Sequence, residues 1–198
     1  MKLTITVFGL IIIFVCSCSK NDISKETFGI LSLGLKADES WMADSVSKKL
    51  KEQYGANIVI LSPGKLPPEA WYAPRKRYKA SILLDYLSKI KPDSINRILA
   101  LTSADISIST KEHKDWGIMG LAKTPGSVCV VSTFRLGKKQ QLSKQRLYKV
   151  CTHELGHTFG LPHCDRDLKC VMNDAEGSIK TIDRCDNNYC IACKKDLE

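Results

Sequence analysis

Apolar positions along the chain fall into runs of two kinds, and the two kinds alternate. The stretches Phe28–Leu33, Asn57–Leu61 and Ile95–Leu101 have the length and composition of strands. Between them, Asp38–Tyr54 places Met42, Val46, Leu50 and Tyr54 along one face of a helix that Gly55 stops. A second helix, Arg75–Ile90, turns Leu83, Leu87 and Ile90 inward. The segment Ser62–Pro74 holds four of the seven prolines and reads as a loop. Two more apolar runs, Trp116–Ala122 and Ser127–Thr133, flank Thr124-Pro125-Gly126 and predict a hairpin or neighbouring edge strands. A last long helix follows, with Ser143 as its N-cap. Strands alternating with helices in this order predict an α/β layer.

The N-terminal end is patterned differently. Lys2 precedes an apolar run from Ile5 to Val15, too short to span a membrane comfortably but of the length of a signal-peptide core. Ser17-Cys18 then resembles a lipoprotein processing site, with Cys18 as the lipidated first residue of the mature chain and a polar tether after it. Cys16 is the weaker acceptor because bulky Val15 precedes it, and an uncleaved N-terminal anchor is the alternative. Either way the expected location is the cell envelope, membrane-anchored, on a face the sequence does not name. The expected organisation is a signal over 1–17, a tether over 18–27, an N-terminal subdomain over 28–163 and a C-terminal subdomain over 164–198.

Composition narrows the classes. With 198 residues and a hydrophobic fraction of 43%, the chain can build one domain with a small appendage. The formal charge of +9 drops to +8 when residues 1–17, whose only charge is Lys2, are removed. The basic residues are scattered through Lys48/Lys49/Lys51, Arg75/Lys76/Arg77 and Lys138/Lys139, as on solvated helix faces. Neither a recognition element nor a clustered basic face is present, so a nucleic-acid partner is not expected. A monomer is expected.

The chemistry is concentrated in His153-Glu154-Leu155-Gly156-His157-Thr158-Phe159-Gly160-Leu161-Pro162-His163, which holds three of the four histidines. Residues four apart share a helix face, so His153 and His157 can address one metal ion with Glu154 beside them. Gly160 and Pro162 end the helix and turn the chain back, which delivers His163 as a third ligand. Three protein ligands leave one tetrahedral position of zinc open, the mark of a catalytic rather than a structural site. Glu154 is then free to act as general base toward a water that the metal acidifies, and peptide or amide hydrolysis is the reaction class. A non-catalytic zinc-binding envelope lipoprotein is the alternative; the presence of Glu154 argues against it.

Nine cysteines include Cys16 and Cys18 in the signal region. Cys164, Cys170, Cys190 and Cys193 form two short-range pairs that suit a closed tetrahedral zinc site, with disulfides as the competing reading in an oxidising compartment and Cys185 as a competing ligand. Cys129, in the run Val128–Val131, and Cys151, on the metal-binding helix, read as buried small hydrophobes.

The histidine pattern followed by a methionine resembles metzincin peptidases. The order Cys164, Cys170-Val171-Met172, Cys190-Ile191-Ala192-Cys193 narrows the resemblance to the archaemetzincin family, with intervals of five, one and seventeen residues. The first interval is one residue longer than the family's. The segments Trp116–Ala122 and Val130–Leu136 are also similar to the family, so the resemblance spans about residues 28–193.

The resemblance implies a metzincin-like mixed sheet with an active-site helix, and a small C-terminal subdomain holding a second, structural zinc on the four cysteines. It implies two zincs per chain and a peptide or protein substrate. It implies Met172 as an apolar floor beneath the imidazoles and Ser127–Thr133 as the edge strand that pairs with extended substrate. Where some metzincins carry a tyrosine two residues after the methionine, this chain has Asp174, so oxyanion stabilisation falls to the metal or to other groups.

Overall fold

The computed structural model describes residues 22–197. The proposed signal, Cys16, Cys18 and the first part of the tether lie outside the described residues. A 3₁₀ turn, Ile23–Lys25, packs Ile23 partly against the core. β1 (Thr27–Ser32) follows, then a second 3₁₀ turn over Ala37–Glu39 and α1 (Trp41–Tyr54), which Gly55 caps in the left-handed region at φ 66°. β2 (Asn57–Ile60) is the next strand.

The segment expected to be loop and helix is where the structure differs most. It forms β3 (Trp71–Tyr72) and β4 (Arg77–Lys79), and α2 (Ala80–Ile90) begins only after them rather than at Arg75. Then come β5 (Arg97–Thr102), β6 (Ile106–Ile108), β7 (Trp116–Ile118), β8 (Gly120–Ala122) and β9 (Val128–Ser132). The long helix α3 runs from Gln140 to Thr158 with Lys139 at its N-cap, so Ser143 lies inside it and is not the cap. Two short helices, α4 (Ile179–Arg184) and α5 (Ile191–Leu197), close the chain.

The main sheet has the order β2-β1-β5-β9-β8. Its first four strands are parallel, and β8 alone runs antiparallel, on β9. Alternate residues of the central strands divide between two cores. Phe28, Ile30, Leu99, Leu101, Cys129 and Val131 face α1 and α3; Leu31, Ile98, Ala100, Val128 and Val130 face α2. A parallel sheet covered on both faces gives such strands, apolar at every position. Cys129 and Cys151 sit fully buried in the first of these cores, as small hydrophobes.

β9 is buried at every residue and hydrogen-bonded on both sides, so the expected edge strand Ser127–Thr133 is internal. The edge is β8. The run Trp116–Ala122 is divided: β7 ends a second sheet of order β3-β4-β6-β7, whereas β8 joins the main one. Among the described residues, no helix is long and apolar enough to cross a membrane.

Candidate metal centre and cleft

α3 ends directly under the candidate site. Gly160, at φ +95°, donates to the carbonyl of His157 (2.9 Å), and Leu161 N–H donates to that of Gly156 (3.1 Å). This paired termination is the Schellman arrangement, and only a residue tolerant of positive φ closes it without strain. The reversal carries His163 back over the helix. The rings of His153, His157 and His163 then lie with centroids 4.6–5.3 Å apart.

The remaining ring nitrogens are all occupied. His153 Nδ1 lies 2.8 Å from the carbonyl oxygen of Val171, and His157 Nδ1 2.8 Å from that of Leu161. His163 Nδ1 lies 3.1 Å from Oδ2 of Asp174. The two carbonyls accept only, so Nδ1 of His153 and of His157 carries the proton and their Nε2 atoms present lone pairs. His153 Nε2 and His157 Nε2 face each other at 3.0 Å. Two bare lone pairs at that separation repel unless a cation stands between them. Burial of the ring and the neighbouring His157 hold His153 down to about 3, and burial lowers His157 as well, so protonation does not supply that cation at neutral pH. The donor set therefore fits a divalent metal, and the three histidines are positioned so that they could hold one ion.

Glu154 is buried beside them, 6% exposed, with its side chain against Gly120 of β8. Burial pushes its carboxyl up to about 8. A cleft of about 410 Å³ opens in front of these groups, between β8 on one side and the Asp174–Gly177 turn on the other, with Trp116 also on its wall.

Met172 is fully buried under α3, where its sulfur faces Gly156 between the two helical histidines. Tyr189, which sequence reasoning left unassigned, lies beneath the same helix: its hydroxyl donates to the carbonyl of Thr152 (2.8 Å) and meets Tyr54 (2.5 Å).

Behind the cleft, the sulfurs of Cys164, Cys170, Cys190 and Cys193 gather within 4.8 Å of one another and could hold a second ion. Cys164 and Cys190 are 3.8 Å apart, Cys170 and Cys193 3.7 Å. A thiolate tetrahedron with metal–sulfur bonds of 2.3 Å has edges of ~3.8 Å. A disulfide needs about 2.05 Å, and all four cysteines are free. The five-residue interval is absorbed by a loop that Asn173 pins, its amide donating to the carbonyls of Cys164 (2.7 Å) and Asp167 (2.8 Å). Cys185 stands apart, near the carbonyl of Leu168, on the cleft wall.

Architecture and imidazole cluster together define the class: a zinc metallopeptidase, built on a mixed α/β sheet with an active-site helix. A model of peptidase family M54 matches residues 35–198, and the chain belongs to that family. It is 36% identical over 160 residues to the archaemetzincin of Methanopyrus kandleri, covering 80% of this chain and 87% of the relative. It is 30% identical to that of Halobacterium salinarum, covering 75% and 87%. The crystal structure of the Methanopyrus kandleri protein superposes with a TM-score of 0.76 at 33% identity, covering 88% of this chain and 94% of that one. For the Archaeoglobus fulgidus archaemetzincin the TM-score is 0.74 at 25% identity, covering 86% and 99%.

Proposed function

We propose that His153, His157 and His163 hold the catalytic zinc, that Glu154 is the general base, and that the substrate is an extended peptide lying along β8. The observation that carries the ligand assignment is the committed Nδ1 of His153 and His157, which leaves their two Nε2 lone pairs facing each other at 3.0 Å with His163 alongside, an arrangement that a cation relieves. When bound, zinc supplies Lewis-acid chemistry, drawing charge from a carbonyl oxygen and acidifying water. With a cation on the three imidazoles, the ionised form of Glu154 is favoured against the upward push of burial, and its carboxylate then takes a proton from the attacking water and delivers it to the departing amine. Its seat against β8 keeps the carboxylate next to the strand that positions the scissile bond. Of the two edges of β8, one is paired with β9; the other is offered to substrate backbone. No side chain at position 174 donates a hydrogen bond to a developing oxyanion, since an aspartate carboxylate only accepts.

The four cysteines hold a second, structural zinc in this reading, which makes two per chain. Support comes from sulfur separations of tetrahedral size. Residues 1–17 export the chain and Cys18 anchors it to a membrane, a proposal supported by the sequence alone; a Cys18→Ala protein moving from the membrane to the soluble fraction is the expected result.

Activity is tested with peptide-library cleavage and metal analysis in parallel. Glu154→Gln retains both zincs and loses at least about a hundredfold in turnover, and His157→Ala loses the catalytic zinc. Equal turnover in Glu154→Gln and the parent rejects the base and leaves a zinc-binding protein. Cys190→Ser lowers the zinc content by one; one zinc and two disulfides in the parent reject the second site.

A further inference from the structure

The third histidine is held differently from the other two. His153 and His157 project from a helix and give their Nδ1 protons to backbone carbonyls, which no substitution removes. His163 comes from a loop, its side chain 46% exposed, and its Nδ1 reaches only a side chain, that of Asp174. The carboxylate is itself oriented. Its Oδ1 accepts the backbone N–H of Glu176 at 2.9 Å, in a turn where Glu176 adopts φ +45°, and Gly177 of that turn faces the indole of Trp116. The neighbouring Asn173 grips the carbonyl of Cys164. Two consecutive residues, Asn173 and Asp174, thus hold two consecutive residues, Cys164 and His163.

We infer that Asp174 is the positioning residue of the third ligand: it fixes the tautomer and ring orientation of His163 and so sets how long the catalytic metal stays bound. The inference rests on the three-histidine site proposed above. A carboxylate behind a metal-ligating imidazole keeps Nδ1 protonated and raises the basicity of Nε2, and removing such a partner costs about 10–100-fold in metal affinity. Both carboxylate oxygens accept from the protein's own N–H groups, so Asp174, although half-exposed at the cleft, is already engaged by the ligand and its own turn.

The test is zinc release into excess chelator from the full-length parent, Asp174→Ala, Asp174→Asn and His157→Ala, with the phase missing in His157→Ala marking the histidine site. Release from that phase accelerates about 10–100-fold in Asp174→Ala, while release from the cysteine site is unchanged. Asp174→Asn, whose amide oxygen still accepts the Nδ1 proton, falls between alanine and parent. Equal release from parent and Asp174→Ala overturns the inference, as does a defect confined to KM for peptide with release unaltered. If His157→Ala keeps the full zinc content, the three-histidine reading fails and this inference fails with it.

Discussion

Gly120 on β8 and Glu154 on α3 touch so closely that a Cβ added at Gly120 would stand 2.4 Å from Oε1 of the carboxylate and 2.6 Å from its Cγ. The edge strand and the proposed general base are therefore fitted to each other, and the absence of a side chain at 120 is what lets the carboxylate lie against the strand. The flexible end of a glutamate can swing away from an added methyl, so Gly120→Ala should fold and keep its metal. The displaced carboxylate then meets the attacking water badly, and an error of about 1 Å in such a position costs on the order of a hundredfold. Zinc content equal to the parent with kcat/KM down by about 10–100-fold is the expected outcome; undiminished kcat/KM would show that the contact has no catalytic consequence.

Gly156 has a harder neighbour. A Cβ there would meet the sulfur of Met172 at 2.5 Å and the ring of Tyr189 at 3.0 Å, both fully or almost fully buried. Alanine gains about 1 kcal/mol in helix propensity over glycine, whereas overpacking a filled core costs about 1–3 kcal/mol. With Tyr189 tied to Thr152 and Tyr54, little room exists for retreat, and the upper part of that range applies. A net loss of about 1–2 kcal/mol lowers Tm by roughly 2–8 °C in a domain of this size. Because position 156 lies between His153 and His157, the catalytic zinc should also be held more weakly. A scanning calorimetry trace with Tm unchanged or raised would refute the packing argument.

These two contacts show where sequence reading succeeds and where it stops. The eleven residues from His153 to His163 were legible because helix periodicity and a glycine stop set their geometry within four turns of chain. The central strands of the main sheet were legible because both of their faces are covered and their inner positions form continuous apolar runs. The second sheet was not: its strands are two or three residues long, and Arg77, Lys79 and Arg135 meet Asp105 and Asp115 across about 30 positions of sequence, which leaves no local period. Edge position is likewise a property of the sheet, so β8 and β9 could not be told apart. Asp174 was read as a missing tyrosine, because nothing in its neighbourhood in the sequence says that it faces His163.

The cysteine site and the histidine site share covalent chain. Cys164 follows His163 directly, and Cys170 precedes Val171, whose carbonyl holds His153. A metal on the four sulfurs would thus fix one proposed catalytic ligand and the support of another. Cys190→Ser should lose the structural zinc and, in consequence, bind the catalytic zinc about tenfold or more weakly, as expected when the groups that orient a ligand are released. Coupling between two bound ions is reciprocal, so His157→Ala, which leaves the histidine site empty, should bind the structural zinc more weakly by a similar factor. Chelator titration with metal analysis of both variants checks this, and an unaltered histidine site in Cys190→Ser would show the two centres to be independent.

The second sheet is braced by charge, and acid should loosen it. Asp115 accepts from Lys79 Nζ and Arg77 Nη1, each at 2.8 Å, while Asp105 bridges Arg77 and Arg135. Burial pushes the Asp115 carboxyl up, but Lys79 and Arg77 outweigh it and hold it at about 2, below its ordinary value of 3.8. A group with a lowered pKa in the folded state favours folding in its ionised form, so its contribution is complete above about pH 4 and disappears as the pH falls toward 2. Asp115→Asn should therefore be less stable than the parent at neutral pH, by on the order of 1 kcal/mol for a network that water can still reach. The difference between the two proteins should close between pH 4 and 2. Taking the difference cancels the other carboxylates that titrate in the same window, Asp183 among them. Because β7 is an edge of this sheet and carries Trp116 to the cleft wall, the neutral-pH variant should also show a raised KM with kcat little changed. A stability gap that persists at pH 2 would mean that Asp115 holds the sheet by shape rather than by charge.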